Sequence, residues 1–336
     1  MIDLATPPME ARTAEALPRE SGWHFEPKWD GFRCLAFKSN GHLDLRAKSG
    51  KPLGRFFPDI VSALEQLRIA RFVVDGELVI EVDGHLSFEA LQLRLHPAAS
   101  RVAKLAKETP ARLILFDMLQ TPKGDVLLAC PFSERRRHLE AFVKAAKAPG
   151  VVALSPSTSD RAQAKRWLSA RGASDTDGVV AKRIDGPYLP GERAMIKVKR
   201  LRSADCVVGG FRYASSSPLV GSLLLGLYDD AGLLHHVGFT SSIAKADRPQ
   251  LTKKLEALRK PPGFTGRAPG GPSRWSTERT GAWVPLQPKL VVEVQFDHVT
   301  DLRFRHGTTL LRWRPDKAPK QCRLEQLGVA SHSAPR

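Results

Sequence analysis

The sequence predicts an α+β domain with antiparallel sheets over residues 1–200, an all-β barrel with one helix over 201–328, and a C-terminal tail at 329–336. Residues 23–200 alternate apolar, β-branched runs of strand length with a few helical segments, the mixture of an α+β domain. Near Leu201 the pattern changes to short strand-like runs separated by turns, and a single helical stretch remains. The length of 336 residues and the 42% hydrophobic content suffice for two cored domains.

Residues 1–20 are mixed and proline-containing, and read as a surface arm leading into the first strand. Phe72–Val79, Leu113–Leu119, Asp177–Lys182 and Met195–Lys199 read as strands. Pro58–Leu67 reads as a helix with Pro58 in its first turn, where the missing N–H costs nothing. Ser133–Val143 is a second helix, capped by Ser133, with its arginine run on a solvated face, and Ser159–Leu168 is a third. A hinge is expected near 199–204. Beyond it, Asp205–Phe211 and Gly221–Tyr228 are strands, and Asp229–Gly232 turns into a third at Leu233–Phe239. A helix at Asp247–Leu258, a Gly/Pro-rich loop at 261–272, and strands at Val291–Phe296 and Thr309–Trp313 complete the set. Five short strands with one helix fit the OB-fold, a small barrel that commonly binds nucleic acid.

The 52 Lys and Arg against 35 Asp and Glu leave a formal charge of +17, which favours a polyanionic partner through counterion release. The excess is denser in the C-terminal part, where residues 201–336 hold 20 basic and 11 acidic side chains. Cys34, Cys130, Cys206 and Cys322 are scattered without a C-x-x-C pair, so neither a zinc site nor a disulfide framework is indicated. No apolar run approaches a membrane span, and the N-terminus lacks the blocks of a signal peptide. A soluble intracellular protein is expected.

The richest chemistry lies in Phe25-Glu26-Pro27-Lys28-Trp29-Asp30-Gly31-Phe32-Arg33, where an amine stands beside a carboxylate, a glycine and a guanidinium. A lysine attacks phosphorus only as the free amine, which nearby cations or desolvation favour. Glu77 and Asp177, each in a strand-like run, can hold a Mg²⁺ that bridges phosphate oxygens. Lys182, Lys197 and Lys199 can neutralise phosphates, with Lys197 and Lys199 on one face of a strand by period-two alternation. Phe116 offers a ring to a base, although an apolar strand residue is more often core. Taken singly, each of these has a bland reading as a turn, an ion pair or a solvated strand face.

Together, and in this order, they resemble the covalent nucleotidyltransferases: ATP-dependent DNA ligases, RNA ligases and mRNA capping enzymes. The K-x-D-G-x-R motif stands at Lys28, Asp30, Gly31 and Arg33; D-G-E at Asp75-Gly76-Glu77; the aromatic-acid pair at Phe116-Asp117; the next motif at Asp177-Gly178 through Lys182; and K-x-K at Lys197 and Lys199. Arg314-Pro315-Asp316-Lys317 resembles the R-x-D-K motif of DNA ligases, and the stretches around Lys28, Leu95–Arg101, Asp185–Gly191 and Phe304–His306 resemble the short bacterial ligase C type. Two departures are visible. Ala47-Lys48-Ser49-Gly50 replaces the usual Ser-Arg-Asn-Gly, so Lys48 offers a point charge and no bidentate fork. Asp177 stands where many relatives have glutamate, with a shorter reach to a metal.

The resemblance implies that Lys28 takes AMP from ATP, with Mg²⁺ (or Mn²⁺) as cofactor, and passes it to the 5′-phosphate of nicked duplex DNA. It assigns Glu26 and Phe116 to adenine, Arg33 to the nucleotide sugar, Lys48 to ATP or DNA, and Glu77 and Asp177 to metal. Lys182, Lys197 and Lys199 go to phosphates, and Arg314, Asp316 and Lys317 to the leaving pyrophosphate, delivered by rotation of the OB-fold. It further implies a bacterial cytoplasmic, nucleoid-associated monomer acting in repair, with the end-joining protein Ku or other repair proteins as partners and no membrane. The alternatives are an RNA ligase or capping-type nucleotidyltransferase, and a non-catalytic nucleic-acid-binding protein on the same scaffold.

Overall fold

The structure is a computed structural model that describes residues 2–148, 150–169, 176–270 and 282–327; the expected 329–336 tail and the end of the Gly/Pro-rich loop lie outside them. The chain divides into two compact units, Met1–Arg200 and Leu201–Arg336.

The first unit runs β1 (Ala11–Thr13), β2 (Trp23–Trp29), β3 (Phe32–Ser39), β4 (His42–Ala47), α1 (Pro58–Glu65), β5 (Phe72–Val82), β6 (His85–Leu86), α2 (Phe88–Arg94), α3 (Ala99–Glu108), β7 (Ala111–Gln120), α4 (Phe132–Ala146), β8 (Val152–Leu154), α5 (Arg161–Ser169), β9 (Thr176–Arg183) and β10 (Met195–Lys199). Two sheets result, ordered β1-β10-β9-β2 and β4-β3-β5-β7-β8, with β6 on β5. Pairing is antiparallel except for β1 with β10 and β7 with β8. β5 reads as an almost unbroken apolar run because both of its faces are covered. Phe72, Val74, Leu78 and Ile80 join the helix-backed core with Phe57, Ile60, Leu64 and Phe142. Val73 faces the other way, into a cluster of Leu35, Phe37, Leu119, Tyr188 and Met195 that joins the two sheets.

Three expectations change here. The N-terminal arm is not merely superficial: β1 pairs with β10, and Ile2, Met9 and Leu17 are buried. Their spacing has no period, because each fills a separate gap. The α4 helix starts one residue earlier, after Pro131, and Ser133 is not its cap. Its arginine run is also not uniformly solvated, since Arg135 and Arg136 are buried and only Arg137 faces water. Buried carboxylates draw them in: Arg135 makes a two-point contact with Asp117 (2.8 and 3.1 Å). α2 and α3 were not expected. They are short and divided by Pro97, and the fully buried Arg94 ties α2 to Asp59 at the start of α1.

The second unit contains β11 (Arg202–Tyr213), β12 (Val220–Tyr228), β13 (Leu234–Thr240), α6 (Arg248–Glu256), β14 (Val284–Pro285), β15 (Val291–Phe296), β16 (Val299–Thr300), β17 (Arg303–Phe304) and β18 (Thr309–Trp313). The sheet order is β13-β12-β11-β15-β18, with β14 also on β11. A bridge from Thr240 to Thr308 joins the last residue of β13 to the chain entering β18 and closes the barrel. The long β11 can serve both halves because a register shift between Val208 and Gly210 bends it. Among the described residues, no helix is long and apolar enough to cross a membrane.

Candidate active site

Cross-strand register assembles the lysines. Across the first sheet Lys28 on β2 stands opposite Gly178 on β9, which stands opposite Lys199 on β10. One step along, Glu26, Val180 and Lys197 form the next row. Directly paired residues share a face, so Glu26, Lys28, Lys197 and Lys199 are gathered from segments some 170 residues apart. Gly178 adopts a φ of +156°, and a Cβ there would collide with the Val198 carbonyl. Gly31 is required for the same kind of reason: its Cβ would strike the Leu78 carbonyl and crowd the Glu77 side chain. Pro27 is tolerated next to Lys28 because β2 is at the sheet edge.

Glu26, Lys28 and Lys197 line a cleft with Arg33, Lys48, Glu77, Phe116 and Lys182, closed on one side by Pro8–Ala11 of the N-terminal segment. The Lys28 amine donates to Asp177 Oδ2 at 2.9 Å. Lys197 is held below the usual lysine range by partial burial and then by repulsion from Lys28, Lys199 and Lys48. The cleft therefore concentrates positive charge before any anion enters it.

Arg33 is locked rather than mobile. Its Nε and Nη2 each donate to Asp75 at 2.6 Å, and Nη2 also reaches the Met9 carbonyl at 3.1 Å. Asp75 is fully buried and accepts a further bond from the Tyr188 hydroxyl at 2.7 Å. The guanidinium lies 4.6 Å from the centre of the Phe116 ring. Phe116 is thus both core and cleft wall, and its ring orientation is fixed by a cation that is itself fixed.

Lys182, expected at the phosphates, is tied to Glu26 and Phe116. Its amine is buried at the cleft floor, 3.0 Å from Glu26 Oε2, and donates to the Phe116 carbonyl at 2.8 Å. Glu26 is 2% exposed, and its other oxygen lies 3.3 Å from Arg136 Nη1. Burial raises the Glu26 carboxyl above its ordinary range, with Lys182 and Arg136 opposing.

Glu77 stands opposite Arg33 in the β3–β5 register. Desolvation pushes its carboxyl up to about 7 against the pull of Arg33 and Lys28, with Asp75 and Asp30 adding to the rise. A carboxyl so strained toward neutrality, lining a cleft with oxygen donors nearby, suits a hard divalent cation whose charge would restore the anion. Asp177, the partner of the Lys28 amine, is a second carboxylate expected at that ion. Lys48 is exposed and bonded to Glu10 at 2.9 Å, so the short loop after β4 is tied to the N-terminal segment.

Arg314, Asp316 and Lys317 belong to the second unit, just after β18. Arg314 donates to Asp316 (Nη2 at 2.8 Å) and to Asp205 (Nη1 at 2.7 Å), and Lys317 reaches the other Asp205 oxygen at 3.3 Å. The Arg314 hydrogen bonds hold the Asp316 carboxyl down to about 2. Asp205 on β11, with β15 between it and β18, thus sets the spacing of two motif cations.

Sequence reasoning missed Asp75 as the anchor of Arg33, Arg136 as a partner of Glu26, and Met9 and Glu10 as cleft wall. Only Asp75 had a visible signal, being the first residue of its own motif. The others act through contacts between distant segments and leave no local pattern.

Models of the ATP dependent DNA ligase domain and the ATP dependent DNA ligase C terminal region match residues 6–199 and 216–317. DNA ligase C2 of Mycolicibacterium smegmatis is 42% identical over 342 residues, covering 97% of this chain and 95% of that one. DNA ligase C of Mycobacterium tuberculosis is 40% identical over 335 residues, covering 95% and 93%. The crystal structure of the M. tuberculosis LigD ligase domain matches with a TM-score of 0.51 at 26% identity, over 96% of this chain and 99% of that one. With motif residues of the first unit set around one cationic cleft, and the chain matched along nearly its whole length, the chain belongs to the ATP-dependent DNA ligase family.

Proposed function

We propose that this ligase seals nicks bearing a 5′-phosphate and a 3′-hydroxyl in duplex DNA through an AMP carried on Lys28. The observation that carries the reading is the Lys28 amine at a cleft walled by Phe116, Arg33 and Lys197 and bordered by Glu77. The amine forms a bond to the α-phosphorus of ATP while the bond to pyrophosphate breaks, and its proton leaves to water. AMP then moves to the DNA 5′-phosphate. Attack by the 3′-hydroxyl forms the new phosphodiester and expels AMP.

Adenine stacks on Phe116 with its polar edge toward Glu26, and Arg33, held by Asp75, orients the nucleotide sugar. Lys197 and Lys199 neutralise phosphate charge, Lys48 contributes at the rim, and Lys182 holds Glu26 at the floor. A Mg²⁺ held by Glu77 and Asp177 would supply Lewis-acid stabilisation of charge on the transferring phosphate. In this reading residues 1–200 form the adenylation domain and 201–328 the OB-fold domain. Arg314 and Lys317, spaced by Asp205 and Asp316, act on the leaving pyrophosphate. Resemblance to the ligase module of bacterial end-joining proteins supports a place in double-strand break repair with Ku as partner.

The test is sealing of a singly nicked duplex with ATP and Mg²⁺, with GTP as control, beside a Lys28→Ala variant. The expected outcome is a sealed product with ATP alone. The variant should carry no covalent AMP and yet bind nicked DNA within a few-fold of the parent. Labelled AMP on the variant protein would overturn the assignment of Lys28.

A further inference from the structure

We propose that Arg136 sets base choice in the ATP cleft by holding Glu26 as a hydrogen-bond acceptor only. The inference rests on the reading above, in which the polar edge of the base faces Glu26. Arg136 is not itself part of the cleft lining, so it is a positioning residue acting through Glu26.

Glu26 is a buried carboxyl with one cation on each oxygen: Lys182 at 3.0 Å on Oε2 and Arg136 at 3.3 Å on Oε1. The two cations are not equivalent. Lys182 divides its amine between Glu26 and the Phe116 carbonyl. Arg136 arrives from α4, its Nε anchored at 2.8 Å by Glu140, one helical turn further on and half exposed. It is the neighbour whose charge can be changed without disturbing the Phe116 backbone. The other titratable groups facing Glu26 are few. Asp117 on β7 is clamped by Arg135, and His24 on β2 is held below the ordinary histidine range by burial and by Arg136.

Adenine presents an amine at C6, a donor, whereas guanine and hypoxanthine present an oxygen, an acceptor. An ionised carboxylate accepts from the amine and repels the oxygen; a protonated one can donate to the oxygen instead. Burial drives Glu26 toward the protonated form, and its two cations drive it back. Removing one of them therefore alters which base the floor of the cleft accepts. A site built around one buried hydrogen bond rejects a mismatched analogue by on the order of 10⁴-fold.

The experiment measures covalent labelling of the full chain with ATP and with inosine triphosphate, from about pH 5 to about pH 8. The parent should prefer ATP by orders of magnitude at neutral pH, with the preference shrinking toward acid. Arg136→Gln should raise KM for ATP with little change in kcat, and should cut the preference by tenfold or more, a factor that corresponds to about one pKa unit on Glu26. Arg136→Lys should restore most of the preference. A folded Arg136→Gln protein with parental preference and pH profile would overturn the proposal.

Should Arg136→Gln fail to fold, the parent still decides. Purine riboside triphosphate, lacking any C6 substituent, should rank between ATP and inosine triphosphate; equal use of all three at every pH would overturn the proposal. If the parent takes no label from ATP, the adenylation reading itself is what fails.

Discussion

At the scale of single residues, the site depends on groups that never touch a substrate. Asp75 makes no contact outside the protein, yet two hydrogen bonds of 2.6 Å to Arg33 make it the hinge pin of the Phe116 wall. Replacing it with alanine leaves a mostly buried guanidinium unpaired. Loss of one partner from such a pair should cost about 3 kcal/mol, read as a lower denaturant midpoint at unchanged m-value. Adenylylation should fall with it, and Arg33→Lys with Asp75 intact should lower it too, because an ammonium lacks the fork.

His236 makes a second residue-scale prediction. It is buried on β13, accepts a bond from Arg303 at its Nδ1 (3.0 Å), and is held down to about 3 by burial and then by Arg303 and Arg212. Its folded pKa lies below its unfolded one, so the unfolded chain binds the extra proton. The contribution of neutral His236 to stability is thus complete above about pH 6.5 and is lost as pH falls toward 3, with a slope of up to about 1.4 kcal/mol per pH unit. His236→Gln should flatten this limb in chemical denaturation. An unchanged slope would show that carboxylates elsewhere account for the acid sensitivity.

At the scale of elements, buried cations replace the usual helix ends. Lys38 on β3 is 4% exposed, and its amine donates to the carbonyls of Leu64, Glu65 and Leu67 at 2.9 Å each, closing the last turn of α1 from below. A cation there also suits the negative end of the helix dipole. Lys38→Met should keep the packing of the stem but leave these acceptors unpaired, costing about 2 kcal/mol. Hydrogen exchange should speed up in the last turn of α1 more than in β7; uniform exchange would mean that the cap is incidental.

At the scale of the whole molecule, the charge of +17 should appear as salt dependence. If the chain covers 6–10 phosphates of nicked DNA, affinity should drop by about 10³–10⁵ between 50 and 200 mM salt. A titration across that range with a nicked duplex checks it. Affinity that barely moved would mean that the basic excess lies away from the DNA.

Some of this protein was written in local sequence. Periodicity and turn residues predicted the mixed α+β part and the five main barrel strands, because apolar alternation and glycine-rich turns are short-range consequences of burying one face of a strand. The motif residues were legible because phosphoryl transfer from ATP needs an amine, cations and hard oxygen donors, and those residue types stood in a recognisable order. The rest was decided only by tertiary structure. That the proline-containing arm would wall the cleft, that two arginines of one run would turn inward to Asp117 and Glu26, and that Lys182 would sit at the floor beneath Phe116 all depend on where distant strands meet. A buried charge is stable only beside its partner, and no local pattern in the chain records a partner a hundred residues away.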